Sequence, residues 1–393
     1  MKKILSISLL LIASISLYAQ DNLKTVLESI EENNTTLKAM REGVKAQKLE
    51  NRTGIFLPSP EFEFNYLWGS PTIIGNRNDI GVKQTLDIPT IAGMKSRVAN
   101  GQNELVELQY KADCINILLQ AQQYCIDLIY NNALLRELSL REEYANKIEV
   151  LYGDRLNSGD ANMLEYNKIK LNLLSLKGEI SRVDVERTAL LSELKRLNGG
   201  VEVSLGDYQY HEITIPNNFD DWFASVADKS PVLGYVKQEV EVSKKQVTLS
   251  KGYGLPTLSA GYMREKVVGQ EYQGVSFGIS IPLWENTNRV KQAKAALLAA
   301  ESRAEDSRLQ FYGQLENLYH KTCGLKTIAL GYRSALKDVN SDTLLKKALE
   351  AGEISLLEYM MEIGLYYDTV NSALEAERDF QKSFAELSSV EVR

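Results

Sequence analysis

The chain repeats itself once, at a constant shift of 193 residues: Gly81-Val82 recurs as Gly274-Val275, Ile88-Pro89 as Ile281-Pro282, Gly159 as Gly352, Leu164-Glu165-Tyr166 as Leu357-Glu358-Tyr359, and Glu193-Leu194 as Glu386-Leu387. The register holds from a strand-like segment through more than sixty helical residues, around a turn and back along a second helix. Solenoid repeats have periods of about 20 to 50 residues. A unit this long is instead a whole folded arm, and the chain is expected to build two equivalent arms.

Proline placement shows what each arm contains. All eight prolines lie within 58–89, 216–231 and 256–282, so 90–215 and 283–393 are free of them. Proline breaks helix interiors, and both free tracts can be helical nearly throughout. In the first, Leu105, Leu108, Ala112, Ile115, Leu119, Ile126, Ile129 and Ala133 alternate spacings of three and four, with Gln122 the polar exception. That 3.5-residue period is the pattern of a left-handed coiled coil. A helix from about Ile91 to Asn157 would run roughly 100 Å. Asn157-Ser158-Gly159-Asp160 then reverses the chain, and a return helix runs to Leu197, where Asn198-Gly199-Gly200 stops it. In the second arm a long helix follows Trp284, Ala351-Gly352-Glu353 turns, and a return helix starts near Ser355. Further helices are expected at about 22–52 and 220–250. The expected organisation is a first repeat over 20–200 with a β-hairpin at about 60–89, an irregular equatorial connector over 201–219, and a second repeat over 220–393 with a β-hairpin at about 256–282.

The hairpin segments alternate with period two. Phe62, Phe64, Tyr66 and Trp68 share one face against Glu61, Glu63 and Asn65; Ile80, Val82, Leu86 and Ile88 oppose Lys83, Thr85 and Asp87; and Val275, Phe277, Ile279 and Ile281 oppose Ser276, Gly278 and Ser280. An apolar, aromatic face backed by a polar one, on strands of about nine or ten residues, suits the wall of a transmembrane barrel. The alternative is an amphipathic hairpin packed on a soluble core. Four strands cannot close a barrel, and an open sheet in lipid would leave unpaired edge groups at about several kcal/mol each. Other copies of the chain must then complete the wall.

Residues 1–19 read as an export signal: Lys2-Lys3, an apolar core from Ile4 to Leu17, then Tyr18-Ala19 before Gln20. Without Lys2 and Lys3 the chain carries 43 basic and 52 acidic residues, a balance that disfavours nucleic-acid binding. No later stretch is apolar enough for a membrane-spanning helix. Cys114 and Cys125 are eleven residues apart on one expected helix, about 16 Å along its axis and beyond disulfide reach. Cys323 makes the count odd, and all three are expected as buried free thiols. His211 and His320 lack metal-ligand spacing, no phosphate-binding Gly-rich motif occurs, and no nucleophile and base pair stands out. No cofactor, metal site or catalytic residue is expected.

On these elements the chain resembles the TolC-type outer-membrane efflux family along essentially all of its exported length. The resemblance is carried by the doubled strand pair plus helical hairpin, the Pro-x-Pro entry at Pro58-Ser59-Pro60, the Asp/Ser-Ile-Pro strand endings, and Gly-acid-x-x-x-Leu-Glu at each helical tip. Pro58-Ser59-Pro60-Glu61 and Gln84-Thr85-Leu86-Asp87-Ile88-Pro89 are similar to the heavy-metal, CzcC/CusC-like branch. The resemblance implies a mostly α-helical homotrimer whose 12-stranded β-barrel, four strands per copy, sits in the lipid of a Gram-negative outer membrane above a periplasmic tube of α-helices. It implies a passive exit duct partnered by a periplasmic adaptor and an inner-membrane transporter of the RND type. By position, Glu165 and Glu358 would line the pore entrance; Gly159, Asp160, Gly352 and Glu353 would form the tips an adaptor contacts; and Tyr66, Trp68, Tyr262 and Trp284 would form aromatic belts. Each also has a structural reading: carboxylates at helix N-termini, helix termination, and ordinary packing. Met361 stands where a second entrance acid would fall. The competing class is an exported coiled-coil scaffold, or the adaptor itself, without a pore.

Overall fold

The computed structural model describes residues 21–86, 89–338 and 341–391. The export segment, Asp87-Ile88 and the final two residues lie outside these. The two halves share an element order, except that the second has one helix more before its return helix. The first runs α1 (Asp21–Asn33), α2 (Thr35–Asn51), β1 (Glu61–Leu67), β2 (Arg77–Leu86), α3 (Pro89–Ser158) and α4 (Met163–Leu197). The second runs α5 (Phe219–Ala227), α6 (Pro231–Gly252), β3 (Thr257–Val267), β4 (Gln270–Ser280), α7 (Arg289–Asp338), α8 (Ser341–Ala351) and α9 (Leu356–Ser388). Helix α3 has 70 residues, about 105 Å at 1.5 Å per residue. Among the described residues, no helix is long and apolar enough to cross a membrane.

The chain divides into two compact units. One, Met40–Ala112 with Ala227–Phe311, holds the four strands and a small core of Ile91, Val98 and Leu249. The other, Asp113–Val226 and Tyr312 onward with the stretch up to Ala39, holds the helical tips and the larger cores. One of those cores packs Val26, Leu27 and Ile30 of α1 on Cys125, Leu128 and Ile129 of α3 and Leu194 and Leu197 of α4.

Five expectations need correction. The helix expected over 22–52 is two, because Asn34 stops α1 and caps α2: its Oδ1 accepts from Leu37 N at 2.9 Å while its Nδ2 donates to the Leu197 carbonyl at 2.8 Å. A cap of this kind is worth about 1 kcal/mol. The helix expected over 220–250 is also two, with Ser230 capping α6 and Pro231 at its first position, where the missing N–H costs nothing. Pro89 likewise opens α3 instead of closing the strand.

The fourth concerns the coiled-coil stripe. Ile126, Ile129 and Ala133 are buried, whereas Leu105, Leu108, Ala112, Ile115 and Leu119 are only half-buried. The buried line continues on a shifted frame through Leu134, Leu138, Arg141, Ile148 and Tyr152. Of the three free cysteines, finally, only Cys125 is fully buried; burial pushes its thiol up to about 12.

Candidate functional site: the sheet wall and the helical tips

The two hairpins join in one antiparallel sheet of order β1-β2-β3-β4. Its register ties the halves together, pairing Val82 with Tyr262 and Leu86 with Leu258 across the β2–β3 junction. All four strand–helix junctions fall at one end of the sheet, and the β1–β2 loop and the Val268-Gly269 turn fall at the other. Among the described residues both outer edges, β1 and β4, are without a neighbouring strand.

Reading across the register, one face carries Leu86, Leu258 and Ile279; then the polar Gln84 with Ala260 and Phe277; then Phe62, Val82, Tyr262 and Val275; then Phe64 and Ile80 on β1 and β2, beside Arg264 and Gln273 on β3 and β4. Phe62 and Phe277 are 78% and 82% exposed. Full burial of such a side chain is worth about 1.5–3 kcal/mol, so this face is costly in water and favourable in hydrocarbon. The opposite face carries Glu61, Glu63, Asp79 and Glu265 with Arg77 and Lys83, and Arg77 pairs with Asp79 at 2.8 Å and Glu265 at 3.1 Å. Small residues also gather on this polar face. A Cβ on Gly261 would stand 2.8 Å from both Ser276 Oγ and the Val82 carbonyl oxygen, so the backbone packs there as only glycine allows. Around Glu61, Glu63, Asp79 and Lys83 this face forms a hollow of about 420 Å³.

The aromatic candidates separate by level. Tyr66 and Trp68 stack edge-on at 5.5 Å at the loop end, and Trp284 is exposed at the helical end. Tyr262 sits between, where the apolar rows of β3 and β4 give way to Arg264 and Gln273, and its hydroxyl donates to Gln273 Oε1 at 2.8 Å.

At the helical tips the duplication becomes atomic. Gly159 and Gly352 take left-handed φ values of 85° and 72°. After each, the acid's N–H reaches back five residues: Asp160 N to the Arg155 carbonyl and Glu353 N to the Ala348 carbonyl, both 2.8 Å. This is the Schellman ending, in which glycine avoids the Cβ penalty of the left-handed region. Three residues after each glycine a capping box opens the return helix. Glu165 N donates to Asn162 Oδ1 at 2.9 Å and Asn162 N to Glu165 Oε2 at 3.1 Å; Glu358 N donates to Ser355 Oγ at 3.2 Å and Ser355 N to Glu358 Oε2 at 2.8 Å. Both glutamates therefore have a local structural task. The Ser355 N–H holds the exposed Glu358 carboxyl below the usual carboxylate range. The tips share a core of Ile148, Tyr152 and Ile169 with Leu349, Leu356, Tyr359 and Ile363.

One polar residue beside that core escaped the sequence reading. Arg141 sits in the buried line of α3, its guanidinium 4.2 Å from the Tyr367 ring centroid and its Nη2 donating to Asn371 Oδ1 at 3.0 Å. Burial lowers its pKa. It borders a cavity of about 220 Å³ that Tyr144, Glu179 and Asp368 also line. The signal was available: a charge at a core position of a 3.5-residue repeat. His320 is exposed beside Tyr319, and the His211 carbonyl accepts from Gln381. Among the described residues no group of three or more His, Cys, Asp or Glu could hold a metal.

No family model matches the chain, and no curated protein matches it. Solved structures do. A membrane protein from Pseudomonas aeruginosa superposes with a TM-score of 0.78 at 14% identity, over 94% of this chain and 90% of that one. The CmeC outer membrane channel of Campylobacter jejuni gives 0.71 at 15%, over 94% and 85%. The transmembrane channel protein CusC gives 0.70 at 13%, over 94% and 92%. The chain thus has the fold of these proteins over nearly its whole length: mostly helical, with one small antiparallel sheet.

Proposed function

We propose that this protein is a TolC-type outer-membrane channel, the exit duct of a tripartite efflux system. The observation that carries the proposal is the open sheet with one largely apolar face, interrupted by Gln84, and two unpaired edges. In lipid each bare edge group costs about several kcal/mol, and closure by two further copies removes every edge. Three copies then give twelve strands, with the polar face lining the lumen and the helices in the periplasm. A scaffold without a pore would leave Phe62, Phe64 and Phe277 in water. The protein carries no energy source of its own in this scheme; an inner-membrane pump, of RND type as the resemblance implies, supplies it through an adaptor that grips the Gly159-Asp160 and Gly352-Glu353 turns. Tyr66, Trp68, Tyr262 and Trp284 anchor the wall at its polar boundaries.

Mass measurement of the detergent-solubilised protein from outer membranes should give a trimer. A stable, folded monomer would overturn the architecture. Glu165 and Glu358 at the entrance, and the carboxylate excess of the polar face, favour cations, heavy-metal ions among them. Glu358→Lys should then lower cation preference in planar bilayers, with substitution of Glu31 as the control. Unchanged selectivity would leave Glu358 with its capping role alone.

A further inference from the structure

The two ends of the sheet differ in charge. At the loop end the apolar face finishes in mixed charges, with Arg264 paired to Glu271. At the end where strands become helices, Glu61 opens β1 and Asp87 precedes α3, but around the starts of α3 and α7 and the end of α6 the charge is nearly all of one sign. The segments 89–97, 251–258 and 281–294 contain Lys95, Arg97, Lys251, Arg289, Lys291 and Lys294 against the single acid Glu285. This occurs in a chain whose net charge is −7. Arg97, Lys251, Lys291 and Lys294 are exposed and make no ion pair among the described residues. Arg289 is held 3.8 Å and Lys95 6.0 Å from the Tyr253 ring centroid, so the end of α6 anchors cations from the first turns of α3 and α7. Exposed apolar side chains adjoin them: Phe56, Leu283 and Trp284 at 83%, 69% and 80%.

We propose that these six cations form a collar that binds anionic phospholipid headgroups in the membrane leaflet on the helical side of the wall. This rests on the channel reading and adds a lipid partner to it. The placement is what such a partner requires. The apolar rows end at Leu86, Leu258 and Ile279, the cations of α3 and α7 lie within about 12 Å of the starts of those helices, and Trp284 and Phe56 suit the interfacial layer. Basic residues beside an anionic surface each strengthen attachment about fivefold, and threefold assembly would triple their number. Acyl chains against the apolar face and a phosphate against the collar would engage one lipid at both ends, a fit that a soluble anion lacks.

The test uses the full-length protein purified in detergent and equilibrated with equal amounts of phosphatidylcholine and phosphatidylglycerol. Lipid retained after chromatography is quantified by mass spectrometry at low salt. The native protein should enrich phosphatidylglycerol at least about fivefold, and R97Q/K291Q/K294Q, three exposed substitutions, should bring retention close to parity. Equal retention by the native protein, or undiminished enrichment by the variant, overturns the collar. So does binding of soluble anionic glycan through the same residues without lipid preference, which would assign the collar to the cell wall. If the variant misfolds, the native protein in 0.5 M salt replaces it, because screening should abolish the preference. A folded protein that retains no lipid of either kind and needs no detergent would instead overturn the channel reading itself.

Discussion

The two helical tips share a backbone and differ in their surroundings. Residues 155–166 and 348–359 match turn for turn: a glycine at positive φ, a hydrogen bond back across the helix end, a polar cap and a reciprocating glutamate. Yet Leu356 is 3% exposed where its counterpart Met163 is 58% exposed, and Tyr359 is buried where Tyr166 is half-buried. Local hydrogen bonding set by a few polar residues and a glycine builds the turn. Packing against the other hairpin decides which turn becomes core, so duplicated genes can keep the first while the second diverges.

The largest expected break in the comparison is at that packing difference. Leu356→Ala should cost about 2–5 kcal/mol, whereas Met163→Ala should stay within about 0.5 kcal/mol, both read from thermal unfolding of the helical circular dichroism. A matching loss at Met163 would mean that a neighbouring copy covers the first tip in the assembly.

Substitution of the turn glycines should show the shared part. Nothing lies within 4 Å of a Cβ placed on Gly159 or Gly352, so alanine meets no clash and only the left-handed backbone strain remains, about 1–2 kcal/mol at each. The two losses should agree. A clear excess at Gly352 would show that the second turn carries tertiary strain the first does not.

Much of this was legible in the sequence, and the boundary is physical. The duplication, both long hairpins, the four-strand wall and the two glycine turns depend on local patterns: proline exclusion, periodicity and left-handed positions. The Asn34 break was missed because its side chain answers a carbonyl 163 residues away, at Leu197. Ser230-Pro231 was a readable helix start inside the single helix expected over 220–250. Arg141 was passed over because the apolar stripe was followed in one fixed frame, while the buried line of α3 shifts after Ala133. The unequal burial of the tips was beyond local reading, since Leu164-Glu165-Tyr166 and Leu357-Glu358-Tyr359 are the same tripeptide.

The smallest effect tests the caps. Ser355→Ala and Asn162→Ala should each cost about 1 kcal/mol, and the second tip adds a dependence on pH. Glu358 accepts the Ser355 N–H, which depresses its folded pKa relative to the ordinary carboxylate value of 4.5. A depressed folded pKa means that the stabilisation is complete above the unfolded value. It fades as pH falls through the folded one, because protonation removes the charged acceptor. Glu358→Gln keeps an amide oxygen that can close the same box but cannot titrate. The unfolding midpoint of the native protein should therefore fall more steeply than that of Glu358→Gln on acidification below about pH 4.5, and the two curves should run parallel between pH 6 and 8. Ser355→Ala keeps the backbone N–H that Glu358 accepts, so in that background the Gln substitution should still flatten most of the acid limb. If Glu358→Gln leaves the acid limb as steep as in the native protein, the carboxyl draws no stabilisation from that N–H and the capping account fails.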